Sequence, residues 1–296
     1  MTVASSADGA RPTTARDRIW AEVERLDLQG NVAELEACGL TVVPPERMLA
    51  PGRLDHALAT ILDLMEQRNG VRPDVASGAT HVNVCFPTLY FFLLEDPVFV
   101  EALLHPVARA LVDYLLGEQC LLHATVVFMK GPADPPGPGL QLGLHSDQQM
   151  VPEPFPPYPL IVGATLLLTD YTLDTGAFAY VPGSHRRARH PVGPEGSEHA
   201  VPVEAPRGSL LVHHGALWHG SFPRTEPGLR VGMAYAYCRM FMAPLEGYRE
   251  RVTDEQLAAG PPRLARLLGR HVPTGSTERG PDLGLVATAV ARSPWD

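Results

Sequence analysis

In the first 117 residues apolar positions recur every three to four residues, the period of a helix with one buried face. Ile19, Val23 and Leu26 predict a short helix from Ala15, and Leu54, Ala57, Leu58, Ile61, Leu62 and Met65 predict a longer one over about 53–68. Between them Leu40-Thr41-Val42-Val43, stopped by Pro44-Pro45, reads as a brief strand. Asp96-Pro97 is a helix start, because the carboxylate can accept from the orphan amides and proline suits the first turn. Pro106 interrupts that run, and a further helix from Val107 to Leu116 ends at Gly117.

Beyond residue 117 the period shortens. Runs rich in Val, Leu, Tyr, Phe and Thr lie at 120–129, 142–149, 160–169, 177–181, 200–203, 208–213, 216–221 and 229–240. Turn residues separate them, including Gly131-Pro132, Asp174-Thr175-Gly176, Pro182-Gly183 and Pro227-Gly228. About eight short strands broken by turns predict a β-sandwich or jelly-roll barrel. Helical character returns at 253–269 and gives way to a polar tail. The expected layout is one mainly β domain with flanking helices: a disordered 1–14, a mostly helical 15–117, a β core over 118–242 and a helical C-terminal segment with tail over 243–296.

Composition narrows the function. A 45% hydrophobic, 19% charged chain of 296 residues is ordinary for a globular protein and long enough to bury a large core. The net charge of −9, with Lys and Arg scattered, argues against a nucleic-acid surface. No stretch of about 18 apolar residues could span a bilayer, and no basic-then-apolar leader opens the chain. Cys38, Cys85, Cys120 and Cys238 lie far apart with no C-x-x-C pair, so reduced thiols and a cytoplasmic location are expected.

The stretch with chemistry in it is Gly143-Leu144-His145-Ser146-Asp147-Gln148-Gln149. On a strand His145 and Asp147 share a face and aim a nitrogen and an oxygen at one point. A third ligand must come from elsewhere. His219, in Trp218-His219-Gly220-Ser221, leads, with His213 and His214 as competitors. Two imidazoles and one carboxylate on one face suit a non-haem Fe(II) centre with open positions. In the run 229–240 the even positions Gly232, Ala234, Ala236 and Cys238 are small, and Arg230 stands at their end. The odd positions Val231, Met233, Tyr235 and Tyr237 are bulky. The small face leaves space, and an arginine there can bind a carboxylate with two parallel bonds. Ser221, two residues after His219, shares that histidine's face, and a hairpin over Phe222 to Leu229 would bring Arg230 alongside. His123 reads as a strand residue, in the core or lining the cavity, and His185 as a turn residue.

The set His145-x-Asp147, His219-Gly220-Ser221 and Arg230 resembles the phytanoyl-CoA dioxygenase family of Fe(II)/2-oxoglutarate oxygenases. Lys130-Gly131-Pro132, Leu160-Ile161-Val162, Asp174-Thr175-Gly176 and Pro182-Gly183-Ser184-His185 extend the likeness, which is strong over 120–240 and weak in the helical flanks. The resemblance implies a double-stranded β-helix (a jelly-roll, cupin-like core) that binds iron through His145, Asp147 and His219. It implies that Arg230, eleven residues after His219, binds the far carboxylate of 2-oxoglutarate with Ser221, and that Thr165 lines the co-substrate. It also implies an enzyme that uses O₂ and 2-oxoglutarate, releases succinate and CO₂, and hydroxylates a small organic molecule. Related halogenases lack the carboxylate retained here as Asp147, so oxygenation is favoured over chlorination.

Substrate contacts are expected from the segments 70–95, 131–141, 150–159 and 186–200. Gln149 continues the face of His145 and Asp147, and Phe155 and Tyr158 lie in a proline-rich stretch that would form a lid beside the metal. Desaturation, epimerisation or ring formation remain alternative outcomes of the same cofactors. A non-catalytic or hydrolytic metal-binding barrel is the alternative of another class. Nothing in the sequence fixes the oligomeric state.

Overall fold

Helix ends in this chain are set by local chemistry that the sequence already displays. The structure, a computed structural model, describes residues 14–78, 88–132, 142–270, 276–281 and 283. Thr14 caps the first helix: its hydroxyl accepts from the Asp17 amide, and the Asp17 carboxylate accepts from the Thr14 amide. Helix α1 spans Ala15–Arg25, and the stretch expected to be disordered lies, apart from Thr14, outside the described residues. Helix α2 (Gln29–Cys38) follows and ends on Gly39 in the left-handed region, at φ 83°. The strand expected at 40–43 is β1 (Leu40–Val43), and α3 (Pro51–Asn69) covers the long apolar stripe.

After β2 (Thr88–Tyr90), Asp96 caps α4 (Pro97–Leu103) by accepting from the Val98 amide at 2.8 Å. Pro106 opens α5 (Pro106–Leu116), which stops at Gly117. The strands then follow as β3 (Leu121–Lys130), β4 (Ile161–Leu167), β5 (Phe178–Tyr180), β6 (Val201–Val203), β7 (Leu210–His214), β8 (His219–Ser221) and β9 (Arg230–Cys238). Short helices α6 (Tyr248–Arg251), α7 (Asp254–Ala259) and α8 (Pro262–Leu267) come next. The single helical run expected at 253–269 is therefore broken, at Gly260-Pro261, where proline cannot continue a helix.

These nine strands form two antiparallel sheets, and a small antiparallel pair, β10 (Ser276–Thr277) with β11 (Gly280–Pro281), follows α8. The larger has the order β1-β7-β4-β9-β3-β2, and the smaller β6-β5-β8. The outer face of the large sheet presents Val162, Ala164, Leu166, Val212, Val231, Met233, Tyr235 and Tyr237 to the helices, in one continuous core. Its inner face packs Leu167 and Leu211 with Tyr171, Val203 and Leu217, against Phe178 and Tyr180 of the small sheet. Two facing sheets with helices on one outer side make the double-stranded β-helix. Tyrosine hydroxyls bind the layers together: Tyr235 donates to the Phe99 carbonyl at 2.9 Å and Tyr237 to that of Leu103 at 3.2 Å, both on α4.

Two expectations change. The segment 142–149 is not a strand: Gly143 sits at φ 62°, and among the described residues its one bridge pairs His145 with His219. The connection Phe222–Leu229 is not a hairpin, because β8 and β9 belong to different sheets and the chain crosses between them. Of the cysteines, Cys38, Cys120 and Cys238 are free thiols, the last two buried, while Cys85 lies outside the described residues.

One buried carboxylate ties this scaffold together. One oxygen of Glu246 accepts from the Phe91 amide at 2.7 Å, and the other accepts from the amide and hydroxyl of Thr125 at 2.7 and 2.8 Å. Tyr248 joins by hydrogen bonding Thr125 and by accepting from the Leu93 amide. Burial raises the Glu246 pKa, and these donors oppose the rise. Glu246→Ala strands the donors in the interior and is expected to cost about 2–4 kcal/mol of stability in urea unfolding. Glu198→Ala, at an exposed carboxylate, is expected to change stability by less than about 0.5 kcal/mol.

Candidate metal centre

Backbone pairing brings the His145 segment to β8. His145 and His219 exchange both backbone hydrogen bonds at 2.9 Å, the Asp147 amide donates to the Gly215 carbonyl at 2.8 Å, and the Ser221 amide donates to that of Leu142 at 3.0 Å. This approach requires glycine at 220: a Cβ there would stand 2.0 Å from the Leu142 carbonyl oxygen. The histidine and the glycine of His219-Gly220-Ser221 thus have separate reasons, one chemical and one steric.

The result is a convergent donor set. His145, Asp147 and His219 each offer a ligand atom within 4.8 Å of the others. One oxygen of Asp147, Oδ1, lies 3.5 Å from His219 Nε2 and 3.9 Å from His145 Nε2. Donors sharing a metal at bonds of about 2.1 Å stand about 3–3.5 Å apart, so a small contraction closes the set. The tautomers fit as well. His145 Nδ1 lies 2.8 Å from the Gly143 carbonyl and His219 Nδ1 3.0 Å from that of Leu217. A carbonyl only accepts, so each Nδ1 carries the proton and each Nε2 turns a lone pair to the shared point. Burial pushes the His219 pKa down to about 3, against the pull of Asp147, leaving a neutral imidazole. Burial would raise Asp147, but the imidazoles of His219, His213 and His145 outweigh it and hold the carboxyl well below the usual range.

The competitors fall elsewhere. His214 faces away: its Nδ1 accepts from the Ala216 amide at 3.0 Å, and its ring packs on His185. His213 does reach the site, but through the carboxylate, with Nε2 2.9 Å from Asp147 Oδ2. Phe178 of β5 stacks on His219, centroids 5.0 Å apart and planes 8° from parallel.

Beside the donor set lies a partly buried, cationic pocket. β3 and β9 pair so that Lys130 faces Arg230, Phe128 faces Gly232 and Val126 faces Ala234, which puts the small face of β9 next to Lys130. Lys130 Nζ donates to Ser221 Oγ at 2.6 Å. The Arg230 guanidinium lies 4.4 Å over the Tyr171 ring, and its Nε is buried with no hydrogen-bond partner. Gly232 is required here: a Cβ would stand 2.2 Å from the Tyr171 hydroxyl and 3.1 Å from Thr165 Cγ2. Arg230, Ser221 and Thr165, singled out in the sequence, therefore meet at one place. Lys130 was noted only within Lys130-Gly131-Pro132, without a role, and Tyr171 was missed, because only the register across β3 and β9 and the turn after β4 carry them there. Neither Lys130 nor Arg230 forms an ion pair among the described residues. Burial, and secondarily the charge of Arg230, push the Lys130 pKa down to about 8. A pocket holding one buried and one half-buried cation, neither paired with an acid among the described residues, suits an anion.

The three residues expected at the substrate fare differently. Gln149 is exposed beside Asp147, and the neighbouring Gln148 is buried with its side-chain oxygen accepting from the Leu160 amide. Phe155 is buried, edge-on to His190 at 4.7 Å, and His190 Nδ1 lies 3.1 Å from the Ser146 hydroxyl between the two ligands. Tyr158 lies against the Arg239 guanidinium and lines a groove of ≈ 900 Å³ with residues of α1 and α5. None of His145, Asp147 and His219 lines that groove.

Comparison with known proteins agrees with this geometry. Residues 38–232 match the family described as phytanoyl-CoA dioxygenase. An uncharacterised protein of Mycobacterium tuberculosis is 30% identical over 181 residues, 61% of this chain and 66% of that protein. The aligned region thus spans 66% of that relative's length. A protein of Aspergillus fumigatus named dioxygenase af480 is 27% identical over 267 residues, covering 87% of this chain and 81% of its own. Among solved structures, HygX from Streptomyces hygroscopicus, crystallised with nickel and 2-oxoglutarate, aligns with a TM-score of 0.56 at 18% identity, over 74% of this chain and 89% of HygX. SnoN, a non-haem, α-ketoglutarate-dependent epimerase from nogalamycin biosynthesis, aligns with a TM-score of 0.53 at 21% identity, over 74% and 83% of the two chains. At these identities the structural likeness concerns the fold. Among the described residues no helix is long and apolar enough to cross a membrane.

The donor set generates a direct expectation. Calorimetric titration with Mn(II) should give one site per chain, and Asp147→Ala or His219→Ala should weaken it by more than about 100-fold.

Proposed function

From the chain's membership of the phytanoyl-CoA dioxygenase family, we propose that it is an Fe(II)/2-oxoglutarate-dependent oxygenase that hydroxylates a small organic molecule. The observation that carries this reading is the pairing of a three-donor metal set with a cationic pocket whose lysine and arginine have no acidic partner among the described residues. A hydrolytic metal site needs only the first part. A dicarboxylate co-substrate needs both: one end at the metal, the other at the cations.

The donor set fits Fe(II). Two neutral imidazoles and one carboxylate supply three ligands and leave further positions open. A structural zinc site would be closed by a fourth protein donor, and calcium or magnesium would be held by oxygens. Iron bound there supplies the oxidising power, coupling O₂-driven decarboxylation of 2-oxoglutarate to succinate and CO₂ with insertion of oxygen into a substrate C–H bond.

The protein's own residues do the positioning. Arg230 and Lys130 neutralise the far carboxylate of 2-oxoglutarate, and the Ser221 hydroxyl, now held by Lys130 Nζ, turns to donate to it. Tyr171 stacks on the Arg230 guanidinium, and Gly232 makes room for the Tyr171 hydroxyl and the Thr165 methyl. Phe178 fixes the His219 ring. Asp147 keeps a third protein ligand in place, which disfavours a halide and favours oxygenation. Because relatives on this fold include an epimerase, desaturation, epimerisation and ring formation are outcomes of the same machinery that product analysis separates from hydroxylation.

Under this reading, anaerobically purified protein loaded with Fe(II) should release succinate from 2-oxoglutarate when exposed to O₂. Arg230→Ala should lower the yield per unit time roughly 100-fold at limiting 2-oxoglutarate. Absence of both binding and turnover of 2-oxoglutarate by iron-loaded protein ends the proposal.

The lowered Lys130 pKa adds a pH signature. Carboxylate binding favours protonated Lys130, and the free protein holds that proton below about 8 and loses it above. Affinity for 2-oxoglutarate should therefore stay level from pH 6 to about 7.5 and fall above about 8. Lys130→Met should weaken binding about tenfold at neutral pH and flatten that fall, as read by calorimetry on Mn(II)-loaded protein.

A further inference from the structure

The second oxygen of Asp147 has a partner of its own. While Oδ1 faces the Nε2 atoms of His219 and His145 at 3.5 and 3.9 Å, Oδ2 lies 2.9 Å from Nε2 of His213. A carboxylate only accepts, so His213 carries its proton on Nε2 and donates. With that nitrogen committed to Oδ2, and Nδ1 buried without a partner, the ring is turned to the carboxylate and away from the shared point of the other donors.

The fold gives up space for this ring. His213 of β7 stands across from Gly163 of β4 in the sheet register. A Cβ at 163 would come 2.1 Å from Cε1 of the imidazole, and 2.7 and 2.8 Å from its nitrogens. No left-handed φ is recorded for Gly163, so its backbone does not call for glycine; the room it leaves for His213 does. On the other sides the ring meets His219 at 4.6 Å and Phe178 at 5.3 Å between centroids. It is buried, at 5% exposure. Among the described residues the one hydrogen-bond partner of this imidazole is Oδ2.

We propose that His213 is a positioning residue: its Nε2–H holds Oδ2 of Asp147 so that the carboxylate meets the metal through Oδ1 alone. The inference rests on the metal-centre reading above and adds a fourth imidazole to it, one that does not ligate. A carboxylate free to swing can ligate through both oxygens and occupy a position that the co-substrates require. A carboxylate tethered by one oxygen keeps that position open. Groups hydrogen-bonded to metal ligands commonly set affinity by 10–100-fold, and here the same bond also sets denticity. Gly163 belongs to the same device, since it admits the ring.

The test compares wild type, His213→Phe, His213→Gln and Gly163→Ala as full-length proteins titrated with Mn(II) alone. Calorimetry reads affinity, and water-proton relaxation of the bound Mn(II) reads the number of coordinated waters. His213→Phe keeps a ring of similar size without the donor. It should weaken Mn(II) binding by about 10–100-fold and lower the relaxation per bound ion, as Oδ2 displaces water. His213→Gln, which restores an N–H, should recover most of both. Gly163→Ala should behave like His213→Phe although its histidine is intact, which keeps the proposal testable if the phenylalanine variant does not fold.

Unchanged affinity and relaxation in His213→Phe and Gly163→Ala overturn the positioning role while leaving the metal centre standing. A loss in His213→Gln as deep as in Asp147→Ala overturns it too, because it would make His213 a ligand. Wild-type protein that binds no Mn(II) overturns the metal reading itself, and this one with it.

Discussion

The site depends on a division of labour between the two faces of β9. This strand sits inside the large sheet between β4 and β3, so both of its edges are hydrogen-bonded and only its faces differ. Val231, Met233, Tyr235 and Tyr237 fill the helix side, and two of them send hydroxyls to backbone carbonyls of α4. Each buried side chain of this size contributes about 1.5–3 kcal/mol, so the outer face holds the sheet in place. The inner face can then remain small. Gly232, Ala234 and Ala236 contribute no bulk, and Arg230 at the strand's start reaches into the space they leave. Bulk on that inner face would close the pocket that a co-substrate requires.

Much of this was legible because it rests on period and on turn chemistry. The alternation in β9 shows at once which face is open. Proline and glycine placed the boundaries of α3, α4, α5 and most strands to within a few residues. Helix α2 escaped notice because only Val32 and Leu35 of its ten residues are fully buried, too few to make a stripe. The segment 142–149 resembled a strand by composition. Gly143 in the left-handed region and a bend at Asp147 make it an irregular arm held to β8 by the His145–His219 bridge.

The convergent donors were visible as His145, Asp147 and His219, since spacing and neighbours mark them. Their surroundings were not, because these depend on partners distant in sequence. Lys130 is the chain's single lysine, but its role shows only when the register sets it opposite Arg230 and within reach of Ser221. His213 looks like a rival ligand until the structure shows its ring against Gly163 and its proton on the far oxygen of Asp147. Tyr158, expected in a lid beside the metal, lies against Arg239, whose guanidinium donates to the last carbonyls of α5.

The account's central claim is that the metal set and the cationic pocket serve one molecule. It is tested most directly by measuring 2-oxoglutarate binding to the wild-type protein with and without Mn(II), in the absence of O₂. The account predicts one 2-oxoglutarate per chain, with affinity at least about tenfold higher when the metal is present, because the two ends of the dicarboxylate are then held together. Equal binding with and without metal, or none in either case, would contradict it.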